Sequence, residues 1–286
     1  MNVSIIILTF NSSKYIDELL ESIVHKYKGE IKSKELEIIV ADNSSKDDTV
    51  KKAKTHKEVR VINTGGNFGY ARGNNIASNL ALGDVLIFLN PDTKYLSGDM
   101  LKLADELKNE EIGVVGGEII NFEGERELSC GKFYNAVNTF LLSMGLEELC
   151  GVRFSPKRRR KVQFVSGAFF AVRKKLFHEL KGFDEHYFMY IEDSDFCFRA
   201  KLAGYSTFFS PVAAIKHVGQ GSSNRSFAVV NIYKGLLFFN KKHMGKFSYK
   251  FVKVLLKVKA AVLVNYGKVS NNQYLVTTYE EAIKAT

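Results

Sequence analysis

Val85-Leu86-Ile87-Phe88-Leu89-Asn90-Pro91-Asp92 is the stretch on which the fold class turns. Five apolar residues in a row, bounded by Gly83-Asp84 in front and Asn-Pro behind, are too short for a buried helix. They suit a strand covered on both faces. Working upstream, residues 70–82 carry a helical pattern, and residues 59–63, 36–41 and 3–9 repeat the short apolar run. Residues 15–24 have helical apolar spacing at Ile16, Leu19, Leu20 and Ile23, with Asn11, Ser12 and Ser13 offering an N-cap, and another helix is expected to open near Asp47. Strands this apolar, separated by helices, predict an α/β protein with a mostly parallel sheet. Ligands of such sheets sit at the C-terminal ends of the strands. Polar clusters stand at each of those ends: Thr9-Phe10-Asn11, Asp42-Asn43-Ser44-Ser45, Asn63-Thr64-Gly65-Gly66-Asn67-Phe68-Gly69 and Asn90-Pro91-Asp92.

Downstream the pattern weakens. Residues 100–107 read as a helix, 112–115 and 205–209 as strands, and 162–173 as strand material, while the basic run 157–161 belongs to a loop. A helix is expected to contain Glu192, Asp193, Asp195, Phe198 and Arg199. With 45% hydrophobic and 25% charged residues over 286 positions, disorder, collagen-like repeats and coiled coil are excluded. Cys130, Cys150 and Cys197 are odd in number and far apart, which argues against a disulfide scaffold or a zinc ribbon and for a reducing compartment. The N-terminal run reads as a strand and not as a signal peptide, and no uncharged apolar stretch reaches the ~18 residues of a membrane span. A soluble or peripheral cytoplasmic protein is expected.

The charge is unevenly placed. From Lys216 to the end there are 12 basic residues against 2 acidic ones, which accounts for the whole net charge of +10 and leaves the body neutral. A nucleic-acid binder has such a tail, and so has a protein lying on an anionic membrane.

Several residues carry chemistry. Asp92 after its strand suits coordination of a divalent cation that bridges phosphate oxygens, or the capping of a plain turn. Glu192, Asp193 and Asp195 crowd three carboxylates into four positions, which raises a pKa and favours a general base, or else complements the dipole of a helix start. His217 suits a metal site or a phosphate contact, or a satisfied structural role. Asp42 suits reading a base or ribose edge, or opening the next helix. The 65–69 loop lacks the Lys-Ser/Thr of a P-loop and does not read GxGxxG, and no GxSxG or Cys–His pairing signature is present. Acid/base or metal chemistry on a nucleotide-like ligand is what remains.

Taken together the chain resembles the family 2 glycosyltransferases. The resemblance rests on Val3-Ser4-Ile5-Ile6-Ile7-Leu8-Thr9-Phe10-Asn11, Asp42-Asn43-Ser44-Ser45-Lys46-Asp47 and Asn67-Phe68-Gly69-Tyr70-Ala71-Arg72-Gly73-Asn74-Asn75. It continues through Phe88-Leu89-Asn90-Pro91-Asp92-Thr93, Ser166-Gly167-Ala168, Gly182-Phe183-Asp184-Glu185, Phe188-Met189-Tyr190-Ile191-Glu192-Asp193-Ser194-Asp195 and His217-Val218-Gly219-Gln220-Gly221-Ser222. These lie in the same order over residues 1–240, and their form is most similar to bacterial rhamnosyltransferase-type members.

The resemblance implies a GT-A fold, with a Rossmann-like, mostly parallel sheet between helices, spanning 1–225; the charge and spacing of the tail add a basic amphipathic helical extension over 226–286. It implies an inverting transfer of a sugar, L-rhamnose among the choices, from a dTDP- or UDP-sugar to a hydroxyl of a growing surface glycan or lipid-linked acceptor. Thr9, Asn11 and Asp42 would line the nucleobase pocket, Arg72 would lie near ribose and phosphates, and Asn90 and Gly167 would complete the donor site. Asp92 and His217 would hold Mg²⁺ or Mn²⁺, Asp193 would be the base, and Glu192 and Asp195 would face or support the acceptor. Asn90 replaces the first acid of the DxD element, which leaves Asp92 the main side-chain ligand.

In the tail, Lys242, Lys246, Lys250, Lys253 and Lys257 share one helical face, with Phe251, Val254, Leu255, Val258 and Val262 on the other. This pattern suits an anionic membrane on the cytoplasmic side. It equally suits a helix packed on the catalytic domain, or on a second subunit of a homo-oligomer. Two other classes stand against the transferase reading. A sugar-phosphate nucleotidyltransferase needs a glycine-rich basic loop after the first strand, where Thr9-Phe10-Asn11-Ser12-Ser13 stands. A non-catalytic basic module that binds nucleic acid needs aromatic platforms arranged to read bases among the tail lysines, and Phe238, Phe239 and Phe247 show no such arrangement. No nucleic-acid partner is expected.

Overall fold

The computed structural model describes residues 2–217 and 225–286; Val218 to Ser222 of the last motif lie outside them. The first half alternates as its apolar runs require: β1 (Val3–Thr9), α1 (Ile16–Lys26), α2 (Lys28–Lys32), β2 (Leu36–Asp42), α3 (Thr49–Ala53), β3 (Val59–Asn63), α4 (Gly69–Leu80) and β4 (Val85–Leu89). Next come β5 (Thr93–Gly98), α5 (Met100–Asp105), β6 (Ile112–Ile120), β7 (Cys130–Gly131), α6 (Ala136–Ser143), β8 (Arg153–Phe154), β9 (Arg160–Val162), β10 (Phe164–Val165), β11 (Phe169–Arg173) and α7 (Lys174–Glu179). The chain closes with α8 (Glu192–Leu202), β12 (Ser206–His217), α9 (Arg225–Phe239), a π-helical turn over Asn240–Met244, α10 (Gly245–Val269) and α11 (Gln273–Lys284).

The main sheet runs β3-β2-β1-β4-β11-β6-β12-β5, with β9 added beside β12. Its first four strands are parallel, so Thr9, Asp42 and Asn63 end side by side through the register pairs Thr9↔Asp42 and Asp42↔Asn63. The sheet then turns mixed, because β11 runs antiparallel between β4 and β6. A small sheet, β10-β7-β8, stands beside it.

The strands are buried on both faces, and their alternation sorts the core into two layers. Ile5 and Ile7 of β1 and Ile87 of β4 meet Ile16, Leu19 and Ile23 of α1 and Leu103 of α5. Ile6, Leu8 and Phe88 face the other way, towards Ala71 and Ala77 of α4, Phe177 of α7, Phe196 of α8, and Tyr233 and Leu236 of α9. Phe88, Phe170, Phe177, Phe183 and Phe196 form a cluster of tilted, edge-on and stacked rings with contacting centroids 5.1–6.1 Å apart. Each fully buried phenylalanine contributes up to about 3 kcal/mol of burial free energy.

Four local expectations are adjusted: Arg160 and Lys161 of the basic run open β9 rather than extend a loop, Lys242 lies in the π-helical turn and pairs with Asp184 and Asp195 rather than joining the lysine face of α10, and two more concern α1 and α10. The start of α1 carries no side-chain cap: the backbone carbonyl of Ser12 accepts from Tyr15 N–H and Ile16 N–H, and the helix opens at Ile16. On α10 the buried face is Ser248, Val252, Leu256, Ala260 and Val264, whereas Phe251, Val254, Val258 and Val262 point outward. The lysine-free side of the sequence pattern therefore holds two apolar stripes, and the inner one packs.

Candidate active site

The ends of β1, β2 and β3 form one polar floor. Asp42 is buried, and its carboxylate accepts from Thr9 Oγ1 at 2.9 Å, from Ser45 N–H at 2.8 Å and from Ser45 Oγ at 2.5 Å. Asn11 sits in the left-handed region with φ 51°, donates its N–H to Ser45 Oγ and accepts Lys46 N–H on Oδ1, so the first two loops are tied together. Thr64 Oγ1 lies 2.7 Å from Asn43 Oδ1, and Asn43 donates to the Gly69 carbonyl at 3.0 Å, which binds the glycine-rich loop to the same floor. Arg72, in the first turn of α4, lies half exposed with its guanidinium 4.1 Å over the Phe68 ring and 3.8 Å from Glu185.

The Asn-Pro-Asp turn follows β4. Its Asn90 N–H donates to Ala168 O at 3.2 Å, and Thr93 Oγ1 donates to Asn90 O at 2.7 Å. Asp92 is buried, and burial pushes its carboxyl above the usual range while His217 pulls it down. The antiparallel pair Thr93↔His217 is what brings the histidine there from the far end of β12. Behind it, His217 Nδ1 lies 2.7 Å from Glu127 Oε1. Burial disfavours the imidazolium, but the hydrogen bond and charge of Glu127 and the charge of Asp92 outweigh it and raise the histidine pKa.

The acid trio opens α8 and divides into three environments. Asp193 Oδ2 accepts Gly167 N–H at 2.9 Å, and Oδ1 accepts Ser194 N–H at 2.6 Å. Burial raises its pKa, against those two bonds and the charge of Arg153. Glu192 is buried with Oε2 unpartnered, and burial plus the neighbouring Asp193 push its carboxyl far up. Asp195 is fully buried and belongs to a different network: Arg199 Nε, Lys242 Nζ and His243 Nε2 each lie 2.7 Å from its oxygens, and Tyr187 OH donates at 3.2 Å. Despite burial, His243, Arg199 and Lys242 hold its pKa far below the ordinary value. Asp195 thus ties the start of α8 to Arg199 and to Lys242 and His243 of the π-helical turn.

The turn at residues 166–168 connects the acid trio to the Asn-Pro-Asp turn. Ala168 holds Asn90, and Gly167 holds Asp193 through its N–H while its carbonyl accepts Tyr70 OH at 2.7 Å. The residues just before α8 are bent into place. Tyr190 and Ile191 both have φ 73°, a costly geometry for non-glycine residues. Gly235 of α9 lets the extension close on them: a Cβ there would lie 2.8 Å from Ile191 Cγ1 and 3.1 Å from the Tyr190 carbonyl.

The sequence reading missed three site residues. Tyr70 sits within a quoted motif, but nothing in its spacing points to Gly167. Glu127 and Arg153 come from the 118–165 stretch, which carries no periodic signal. Arg153 donates to the Leu128 carbonyl and, at 3.3 Å, to Tyr134 OH.

Among the described residues no three His, Cys, Asp or Glu side chains form a ready-made metal cage. Asp92 and His217 supply one oxygen and one nitrogen donor side by side, a partial set that fits a divalent ion completed by substrate phosphate and water.

The glycosyl transferase family 2 model matches residues 4–181. The chain is 26% identical over 204 residues to a low-salt glycan biosynthesis hexosyltransferase of Haloferax volcanii, covering 70% of this chain and 62% of that one, just under two thirds of its length. It is 29% identical over 237 residues to the rhamnosyltransferase WbbL of Escherichia coli, covering 79% and 86%. It is 28% identical over 215 residues to an N-acetylglucosaminyl-diphospho-decaprenol L-rhamnosyltransferase of Mycobacterium tuberculosis, covering 66% and 68%. In fold it is similar to a Pyrobaculum calidifontis mannosyltransferase solved with GDP-Man and Mn²⁺, at a TM-score of 0.59 and 18% identity over 99% of this chain and 85% of that one. The family match runs from β1 through α7, and so takes in the polar floor, the Asn-Pro-Asp turn and Gly167; the chain belongs to glycosyl transferase family 2.

Proposed function

We propose that the protein is an inverting, metal-assisted glycosyltransferase that moves a sugar from a dTDP- or UDP-linked donor to a hydroxyl of a lipid-linked or growing surface glycan. The observation that supports this best is the pairing of Asp193 and the Asn-Pro-Asp turn on either side of the 166–168 turn. L-Rhamnose is the sugar favoured, because two of the relatives are rhamnosyltransferases by name. The lipid-linked acceptor is favoured by the decaprenol-diphosphate in one of those names. In this reading residues 1–225 bind donor and carry out the transfer, and residues 226–286 form a basic helical extension.

Each group has a task in that reaction. Asp193, ionised, takes the proton of the acceptor hydroxyl as its oxygen attacks the anomeric carbon. The C–O bond to the nucleoside diphosphate breaks on the opposite face, so configuration inverts and no covalent enzyme intermediate forms. The two N–H groups that hold Asp193 fix where its lone pair points. Thr9, Asn11 and Asp42 face the nucleobase, Arg72 the ribose and phosphates, and Asn90 and Gly167 the sugar side. Burial and the neighbouring Asp193 disfavour the charged form of Glu192, which leaves Asp193 as the base of the trio. Asp92 and His217 would hold Mg²⁺ or Mn²⁺, which supplies positive charge to the leaving diphosphate.

No helix among the described residues is long and apolar enough to cross a membrane. We place the enzyme at the inner face of the cell membrane as a peripheral protein, because a lipid-linked acceptor is found there. Thermal-shift binding of UDP, dTDP, GDP and CMP, with and without Mn²⁺, tests the donor site. A ligand at ~100 times its Kd stabilises by about 2.7 kcal/mol, and a Mn²⁺-dependent shift with dTDP or UDP alone is the expected result. No shift with any of the four would remove the donor-site reading.

A further inference from the structure

Among the described residues the outward stripe of α10 has no partner, yet it is apolar. Phe247, Val254, Val258 and Val262 are 83%, 62%, 57% and 60% exposed, and Phe251 and Val269 lie on the same side. At about 100° per residue these six fall within about 80° of one another, opposite the buried Val252, Leu256 and Ala260. Exposed Lys246, Lys250, Lys257 and Lys268 run along one margin, about 40–80° round from Val254. Across the whole of Gly245–Val269 there are six lysines and no acid. On the fold beside it, α6 packs against α10, and α6 with the loop after it exposes Val137, Phe140, Met144 and Leu149. Two neighbouring elements therefore present apolar side chains to solvent, and one of them is edged with positive charge.

We propose that this α6–α10 face is the surface by which the protein lies on an anionic lipid bilayer. Apolar residues would enter the acyl boundary, and the lysine margin would meet acidic headgroups. The charge pattern selects this occupant over a second copy of the chain. α10 brings six lysines and no acid of its own, against Glu147 and Glu148 beside α6 and Glu280 beside Lys268; this excess of positive charge repels a second copy across a two-fold interface, whereas it complements a surface of uniform negative charge. The inference deepens the lipid-linked acceptor reading, since a docked enzyme meets such an acceptor in its own plane.

Flotation of the full-length protein with phosphatidylglycerol-containing vesicles, and with pure phosphatidylcholine vesicles, tests it. Binding to the anionic vesicles alone, weakened by salt, is expected. The double substitution Val254→Asp/Val258→Asp should reduce that binding about tenfold or more while leaving the thermal melt unchanged, because both side chains are already in water. Lys250→Ala/Lys257→Ala should weaken binding to anionic vesicles and make what remains less sensitive to salt. Undiminished vesicle binding by the aspartate variant would overturn the proposal. So would light scattering that shows a dimer which this variant splits and no binding to lipid by either protein. Nucleotide thermal shifts on the same samples report the donor site separately, so loss of the transferase reading and loss of the membrane reading are told apart.

Discussion

At the scale of single residues the acid trio shows how position divides one chemical type into three tasks. Asp193 is desolvated and held by two backbone N–H groups, so it can take a proton, and its raised pKa places the acid limb of the pH–rate profile above the ordinary aspartate range. Asp193→Asn keeps a side-chain oxygen for one of those N–H groups but has no basic lone pair. Its kcat should fall by about 10²–10⁴, with nucleotide binding by thermal shift unchanged. Turnover near wild type would take the base role from Asp193. Asp195 makes the opposite prediction. Its pKa is depressed in the fold, so its stabilisation is complete above the unfolded value of about 3.9 and is lost as pH falls through the lower folded value. Asp195→Asn leaves Arg199, Lys242 and His243 facing a neutral group, and should cost about 3–5 kcal/mol in urea unfolding at neutral pH. Below about pH 4 the gap between variant and wild type should narrow. A gap that does not change with pH would show that packing, and not charge, keeps Asp195 in place.

Between elements the same precision depends on backbone contact. Gly69 opens α4 with φ +78°, and a Cβ there would lie 2.1 Å from the Phe188 carbonyl oxygen, the acceptor of Tyr70 N–H at 2.6 Å. Gly69→Ala must either break that contact or move the 183–191 segment that leads into α8. A loss of about 3 kcal/mol in urea unfolding, with weaker nucleotide binding, is the expected outcome. Unchanged unfolding would mean that the two segments are not rigidly joined. Legibility in the sequence follows the same division. β1, β2 and β4 could be read because strands buried on both faces are written as unbroken apolar runs. β5 could not: its Thr93-Lys94-Tyr95-Leu96-Ser97-Gly98 is an exposed edge without alternation, although it is the strand that carries His217 to Asp92. β7 and β8 are two residues each, below any periodicity, and with them went Arg153. For α10 the period was clear and the facing was not, because Val252-Leu256-Ala260 and Val254-Val258-Val262 are both apolar at helical spacing. Only the neighbours packed against the helix decide between them.

Over the whole molecule, the basic extension is joined to the catalytic body by more than a linker. Tyr233, Leu236, Phe239, Val252 and Leu256 belong to the same buried cluster as Phe170 and Phe183. Asn240 is fully buried, donates to the Tyr134 carbonyl at 2.8 Å and accepts from Ser248 Oγ at 2.6 Å, which joins body, π-turn and α10 in one hydrogen-bonded unit. Lys242 and His243 reach back to Asp195, two residues from the proposed base. Ending the chain after residue 225 would uncover Phe133 and Phe198, which meet edge-on and pack on Phe239, and would strip Lys242 and His243 from a buried carboxylate, leaving it Arg199. Those losses together come to about 10 kcal/mol, comparable with the 5–15 kcal/mol by which a domain is stable. The full chain should therefore melt in a single cooperative transition by far-UV circular dichroism, and residues 1–225 alone should show none. A truncated chain that melted within a few degrees of the full one would mean that the aromatic contacts and the Asp195 network are dispensable. The corner at Tyr190 and Ile191 would then have to be held from within the body, without the close approach that Gly235 allows.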